Sequence, residues 1–173
     1  MHTDGKITPS ADLSAIIEGL AKANVRFILV GGLAAVVQGA PVTTMDVDIV
    51  YHRSPDNVSN LFSFLKSIDA VYRRPDDIIL APKEEDLLDS GHFLLSTRIG
   101  PIDVLAYIEH GQTYDDLLEH TIAINFRGHT IYVLDLKFLI ELKKISQDPK
   151  NRQRLPVLEE TLRQLKKDKN INS

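Results

Sequence analysis

Leu13, Ile16, Ile17, Leu20 and Ala21 recur at three- and four-residue spacing, which predicts an amphipathic helix over residues 12 to 23 with Ser10 or Asp12 as its N-cap. The apolar run ending in Phe27-Ile-Leu-Val30 predicts a buried strand from Arg26. Leu33 to Gln38 is expected to be a short helix stopped by Gly39 and Pro41, and Asp46 to Tyr51 the next strand. Ser54 and Pro55 open a third helix, with Val58, Leu61, Phe62, Leu65 and Ile68 as the stripe that covers a sheet. Residues 73 to 91 are charged and broken by Pro75, Pro82 and Gly91, so they read as loop or short irregular pieces, a flexible stretch placed to face a substrate. Two hairpins follow, His92 to Arg98 with Ile102 to Ile108 across Ile99-Gly100-Pro101, and Ile122 to Asn125 with Thr130 to Val133 across Arg127-Gly128. Tyr114 to Glu119 looks helical, and further helices are expected over Leu136 to Ser146 and Pro156 to Lys167.

Polar residues that interrupt this apolar pattern carry the chemistry. Side chains alternate along a strand, so Asp46 and Asp48 share one face while Met45, Val47 and Ile49 take the other. Neighbouring strands lie roughly 4.8 Å apart, so Asp103 joins the same cluster if its strand pairs beside this one. Three carboxylates that close repel one another unless protons or cations neutralise them, and hard divalent ions, magnesium above all, suit oxygen ligands. Each signal also has a plainer reading. A strand end can carry two solvated acids, Asp103 beside Gly100-Pro101 can be a turn residue, and Gly31-Gly32 can serve only tight packing.

A glycine pair between a buried strand and a helix also lets backbone N–H groups approach an anion. Gly31-Gly32 is not followed by Gly-Lys-Ser/Thr, and the spacing does not fit a dinucleotide fingerprint, which points away from P-loop and nicotinamide enzymes.

The ordered pattern Gly31-Gly32, Gly39-Ala-Pro41, Thr44-Met-Asp46-Val-Asp48-Ile resembles the signature of the DNA polymerase beta-like nucleotidyltransferase superfamily, and within it small bacterial members that include abortive-infection and toxin–antitoxin proteins. The likeness covers roughly residues 12 to 108, with a weaker echo after 134. It implies an α+β (α/β-like) nucleotidyltransferase fold: a small, mixed, twisted sheet flanked by helices, with a C-terminal helical extension. It further implies that Gly31 and Gly32 grip a nucleoside triphosphate, that Asp46 and Asp48 bind two magnesium ions (manganese being the substitute), and that Asp103 is the third acid, which helps activate the attacking hydroxyl. Many relatives carry arginine where this chain has Val42 and serine where it has Gly32.

Two further residues enter as candidates. Thr44 lies two residues before Asp46 and either orients a carboxylate, contacts phosphate or is a plain strand residue. On a helical wheel Lys143 falls among Leu136, Leu139 and Ile140, opposite Lys137, Glu141 and Lys144. A lysine on an apolar face either snorkels to water or, as the resemblance implies for this helix, reaches the triphosphate.

Composition narrows the remaining choices. With 173 residues, 43% hydrophobic and 25% charged, the chain is expected to form one globular domain, its core over about 12–133 and a helical extension over about 134–169. The absence of cysteine excludes disulfides and thiolate zinc sites, and the six histidines show no metal spacing. No apolar run approaches a membrane span and the N-terminus lacks a signal-like segment, so a cytoplasmic location without membrane attachment is expected. The net charge of −4 argues against broad nucleic-acid binding, yet Lys137 to Lys169 holds ten basic residues against five acids. The leading expectation is therefore transfer of a nucleoside monophosphate to a hydroxyl of RNA (tRNA) or protein by a toxin with an antitoxin partner. The alternatives are an antibiotic adenylyltransferase, its cationic substrate met by Asp76-Asp77 and Glu84-Glu85-Asp86, and a non-catalytic nucleotide- or partner-binding module.

Overall fold

A computed structural model describes residues 11–171. The first helix, α1 (Leu13–Lys22), starts where the Asp12 carboxylate accepts a hydrogen bond from the Ala15 N–H at 3.0 Å. The alternative cap, Ser10, lies outside the described residues. The chain continues through β1 (Phe27–Val30), α2 (Gly31–Val37), β2 (Val47–Tyr51), α3 (Pro55–Ser67), the short β3 (Val71–Tyr72) and α4 (Glu84–Leu88). A hairpin of β4 (His92–Thr97) and β5 (Gly100–Leu105) precedes α5 (Tyr114–Leu117), and a second hairpin, β6 (Thr121–Phe126) with β7 (His129–Leu134), leads into α6 (Leu136–Ile145) and α7 (Pro149–Ile171).

All seven strands form one mixed sheet in the order β3-β4-β5-β2-β1-β7-β6. The centre comprises β5 parallel to β2, β2 antiparallel to β1, and β1 parallel to β7. Phe27 to Val30 are buried without alternation, because a central strand covered on both faces has no solvent side. In β2 and β5 the alternation is plain: Val47, Ile49, Ile102 and Val104 are fully buried, which sends Asp48 and Asp103 to the opposite face. This is the α+β architecture expected from the sequence, a mixed sheet flanked by helices.

Several boundaries differ, each for a local reason. The first hairpin turns at Arg98-Ile99, and Gly100 and Pro101 already belong to β5, paired with Thr97 and Ser96. Asp103 is therefore mid-strand. Ser54 occupies the N-cap position of α3 but makes no capping bond, since its hydroxyl accepts from Arg26 at 3.0 Å. The stripe of α3 buries Phe64 where Phe62 was expected, beside Val58, Leu61 and Leu65. Asn57, on the same helix, is buried because it accepts from the Arg26 N–H and donates to the Arg26 and His52 carbonyls, leaving no orphaned polar group.

The largest difference is α7, which begins at Pro149 rather than Pro156 and runs straight through the second proline. Proline removes one backbone donor and crowds the preceding turn. Leu155, Leu158, Leu162 and Leu165 hold the helix despite that loss, with Leu158 only 1% exposed and the others packed against the core. Among the described residues no helix is long and apolar enough to cross a membrane.

Candidate active site

Alternation and register together build an acidic cluster. Asp48 of β2 pairs directly with Asp103 of β5, and Asp46 sits just before β2, two residues from Asp48. One carboxylate oxygen from each of Asp46, Asp48 and Asp103 lies within 4.8 Å of the others. Asp103 is thus a member of the cluster and not a turn residue. Thr44 braces the approach to β2, its hydroxyl donating to the Asp46 carbonyl at 3.3 Å.

The glycine turn lies against this cluster. Val30 pairs with Asp48, so the chain leaves β1 directly over that carboxylate. Gly31 adopts φ +70°, and a Cβ there would overlap Asp48 Oδ2, so both conformation and space exclude a side chain. At Gly32 a Cβ would stand 3.1 Å from Thr44 Oγ1 and 3.2 Å from Arg154 Nη1. The two glycines therefore let Asp48 on one side and Thr44 and Arg154 on the other pack close against the backbone of the turn.

Electrostatics set Asp48 apart. Burial, reinforced by the neighbouring Asp46 charge, pushes its carboxyl up to about 6, with Arg73 and Lys143 opposing the shift. Its Oδ1 is buried without a hydrogen-bond partner among the described residues. An orphaned carboxylate oxygen facing two further acids is the donor set of a hard divalent cation, and the three residues present fit one.

Arg73, one residue beyond β3, is the counter-ion that sequence reasoning missed. Its guanidinium hydrogen-bonds Asp103 Oδ1 and approaches Asp46 Oδ2 at 4.0 Å. It sits at the start of the stretch expected to be loop. No pattern marked it, because its placement depends on β3 pairing with β4, which brings the Arg73 N–H to the Leu94 carbonyl at 2.9 Å.

On the other side, Lys143 of α6 is partly buried, and burial together with the nearby Arg154 charge holds its ammonium below the usual lysine range. Nζ donates to Asn151 Oδ1 at 3.2 Å, so the lysine does not snorkel freely. It lines a cavity of about 200 Å³ with Gly31, Asp48, Leu105, Leu139 and Asn151. The sequence-named residues Gly31, Gly32, Thr44, Asp46, Asp48, Asp103 and Lys143 thus surround one place, and Arg73 and Arg154 join them. Of the five acids proposed for a cationic pocket, two are engaged elsewhere: Asp76 pairs with Arg74 at 2.7 Å, and Asp86 accepts from Tyr72 Oη and the Lys83 N–H.

No family model matches the chain, and no curated protein matches it in sequence. Solved structures do. A candidate nucleotidyltransferase from Thermotoga maritima, TM1012, is 16% identical over 89% of this chain and 92% of its own, with a TM-score of 0.49. An antigenic nucleotidyltransferase-like protein from Paracoccidioides brasiliensis is 18% identical over 86% of this chain and 72% of its own, with a TM-score of 0.56. The lincosamide antibiotic adenylyltransferase LnuA, solved with lincomycin, is 13% identical over 84% of this chain and 92% of its own, with a TM-score of 0.53. On the last two rests the conclusion that this chain has the nucleotidyltransferase fold.

Proposed function

We propose that the protein is a magnesium-dependent nucleotidyltransferase that moves a nucleoside monophosphate from a nucleoside triphosphate to a hydroxyl. The observation that carries this reading is the convergence of Asp46, Asp48 and Asp103 within 4.8 Å, with a buried oxygen on Asp48 that has no partner among the described residues, beside the cavity lined by Gly31 and Lys143. Asp46, Asp48 and Asp103 hold the metal. Divalent ions bound there supply charge neutralisation of the reacting phosphate and the leaving pyrophosphate.

The chain's own groups do the rest. Gly31, where a side chain is excluded, and Gly32, where one would be tight, let phosphate oxygens approach the backbone N–H groups of the turn. Lys143 balances phosphate charge from α6, and Thr44 keeps the Asp46 turn in place. Asp103 takes the proton from the acceptor hydroxyl. The acceptor oxygen then bonds to the α-phosphorus, the bond from that phosphorus to the bridging oxygen breaks, and pyrophosphate leaves.

For the acceptor we favour RNA (tRNA) or a protein, on the strength of the basic residues concentrated in α6 and α7, as expected of a toxin–antitoxin toxin. A small-molecule acceptor is the second reading, and the shared fold with a lincosamide adenylyltransferase favours it. The engagement of Asp76 and Asp86 in structural bonds weakens the version with an acidic drug pocket. The test is incubation with magnesium and each α-labelled nucleoside triphosphate, alone, with total bacterial RNA and with lysate protein, using the Asp46→Asn/Asp48→Asn double variant as control. Label should move to RNA or protein only with intact acids. Full transfer by an Asp46→Ala variant would sink the mechanism, and label on a small molecule would select the second reading.

A further inference from the structure

Helices α6 and α7 bring two cations to the glycine turn, Lys143 beside Gly31 and Arg154 against Gly32, and among the described residues neither has a carboxylate within 4.0 Å. Lys143 Nζ is bonded to Asn151 Oδ1 at 3.2 Å, and Arg154 Nη2 donates to the Thr43 carbonyl at 3.2 Å. A guanidinium carries five N–H donors in a planar fork, so most of those of Arg154 are uncommitted. Its Nη1 stands 3.2 Å from the point where a Gly32 side chain would begin.

This placement follows from the helix. Leu158, one turn after Arg154 on the same side of α7, is buried in the core and fixes that face toward the sheet, whereas the neighbouring Arg152 is exposed. Arg154 and Lys143 repel each other, Asp48, Glu109 and Asp148 offset that only in part at Lys143, and an anion placed between the two cations relieves the remainder. Position along the turn says which part of the anion it is. Gly31 abuts Asp48, where the metal and the reacting phosphate belong, and Gly32, one residue further on, abuts Thr44 and Arg154.

We propose that Arg154 is a phosphate-binding residue of the donor site, gripping with Lys143 the terminal phosphates of a nucleoside triphosphate over the Gly32 backbone. This rests on the nucleotidyl-transfer reading above, and it makes α7 a wall of the donor site rather than an appendage to it. The site then discriminates by phosphate chain length, because a nucleoside monophosphate bound at Asp48 does not reach Arg154.

The experiment measures binding of the four nucleoside triphosphates, their monophosphates and inorganic tripolyphosphate, each with magnesium, by calorimetry. Wild type, Arg154→Gln, Arg154→Lys and Asp48→Asn proteins are compared. Loss of a charge-assisted contact should weaken triphosphate and tripolyphosphate binding by Arg154→Gln on the order of tenfold to a hundredfold. Monophosphate binding should hold, and Arg154→Lys should recover part of the loss. Unchanged triphosphate affinity in Arg154→Gln, while Asp48→Asn loses it, would overturn this assignment and leave the transferase reading standing. An equal fall for mono- and triphosphates with a lowered melting temperature would overturn it as well, in favour of a purely structural role. Wild-type protein that binds no triphosphate would remove both readings.

Discussion

Asp48→Asn should make the metal-free protein more stable at neutral pH. The carboxyl is raised from 3.8 to about 6 by burial and the Asp46 charge, a shift of roughly two units, or about 3 kcal/mol at 1.36 kcal/mol per unit. Asp48 keeps some solvent access, so we expect about 1–2 kcal/mol of this in practice, which for a chain of this size is a rise of roughly 2–8 °C in melting temperature. The sign follows from proton counts. Between pH 4 and 6 the folded wild type binds more protons at this group than the unfolded chain, so this contribution to stability falls as pH rises through that window. The neutral amide has no such loss. The advantage of Asp48→Asn should therefore be small at pH 4, grow through pH 4–6 and level off above it. Comparing the two proteins cancels acids that Asp48 does not touch, such as Glu18, whose carboxyl Lys22 and Arg127 hold down at about 2.

The assay is thermal and urea denaturation across pH in EDTA, repeated with magnesium. A cation that binds only the folded state at a hundred times its dissociation constant adds about 2.7 kcal/mol. Wild type should gain from magnesium and Asp48→Asn should not, so the order of stabilities narrows or reverses when the ion is added. An Asp48→Asn protein no more stable than wild type at pH 7.5 in EDTA, or an advantage independent of pH, would refute the reasoning and make Asp48 a satisfied structural acid.

Three further outcomes are expected. Arg73→Gln removes the guanidinium that occupies Asp103 and Asp46 and should tighten manganese binding, read by electron paramagnetic resonance, roughly three- to tenfold, the equivalent of about 1 kcal/mol; unchanged or weaker binding would mean Arg73 does not compete with the ion. Gly31→Ala should lower stability by about 2 kcal/mol or more in chemical denaturation, since the residue sits at φ +70° against Asp48, and a wild-type denaturation midpoint would contradict that geometry. Leu158→Ala should cost about 2–5 kcal/mol and expose α7 to protease before the rest of the chain, whereas simultaneous cleavage throughout would show that the helix is not separately anchored.

Most of the acidic half of the site was legible because strand physics is local. Val47, Ile49, Ile102 and Val104 had to face the core, and alternation then placed Asp48 and Asp103 on the open side. That β2 and β5 are neighbours is not local, and it was the one assumption the cluster needed. The glycine turn was legible for the same reason, since two glycines at the end of an apolar strand already limit what can happen there. The cationic half was not legible to the same degree. Lys143 was visible as a charge on an apolar stripe, whereas Arg73 and Arg154 sit where no periodic pattern singles out one basic residue among several. Arg73 owes its position to a two-residue edge strand whose pairing with β4 is tertiary. Arg154 owes its position to a helix that runs through Pro156, a residue that by propensity alone starts a helix rather than lying inside one.

This difference has a physical basis beyond these particular residues. Carboxylates that bind metal must converge within a few ångströms, so they sit on the most ordered elements, the central strands, whose patterning is strong. Cations that meet a phosphate chain reach it through long side chains, from helices or sheet edges whose own sequence need only be polar there. Here the acids are fixed by β2, the residue before it and β5, while the guanidinium groups arrive from just past β3 and from α7. Arg73 holds the acids, and Arg154 stands against the glycine turn beside them. Divalent ions entering the cluster would displace the first, and a triphosphate at the glycine turn would engage the second. Metal and nucleotide are therefore expected to bind in mutual support, because the positive charge of the ion and the negative charge of the phosphates offset each other inside the site.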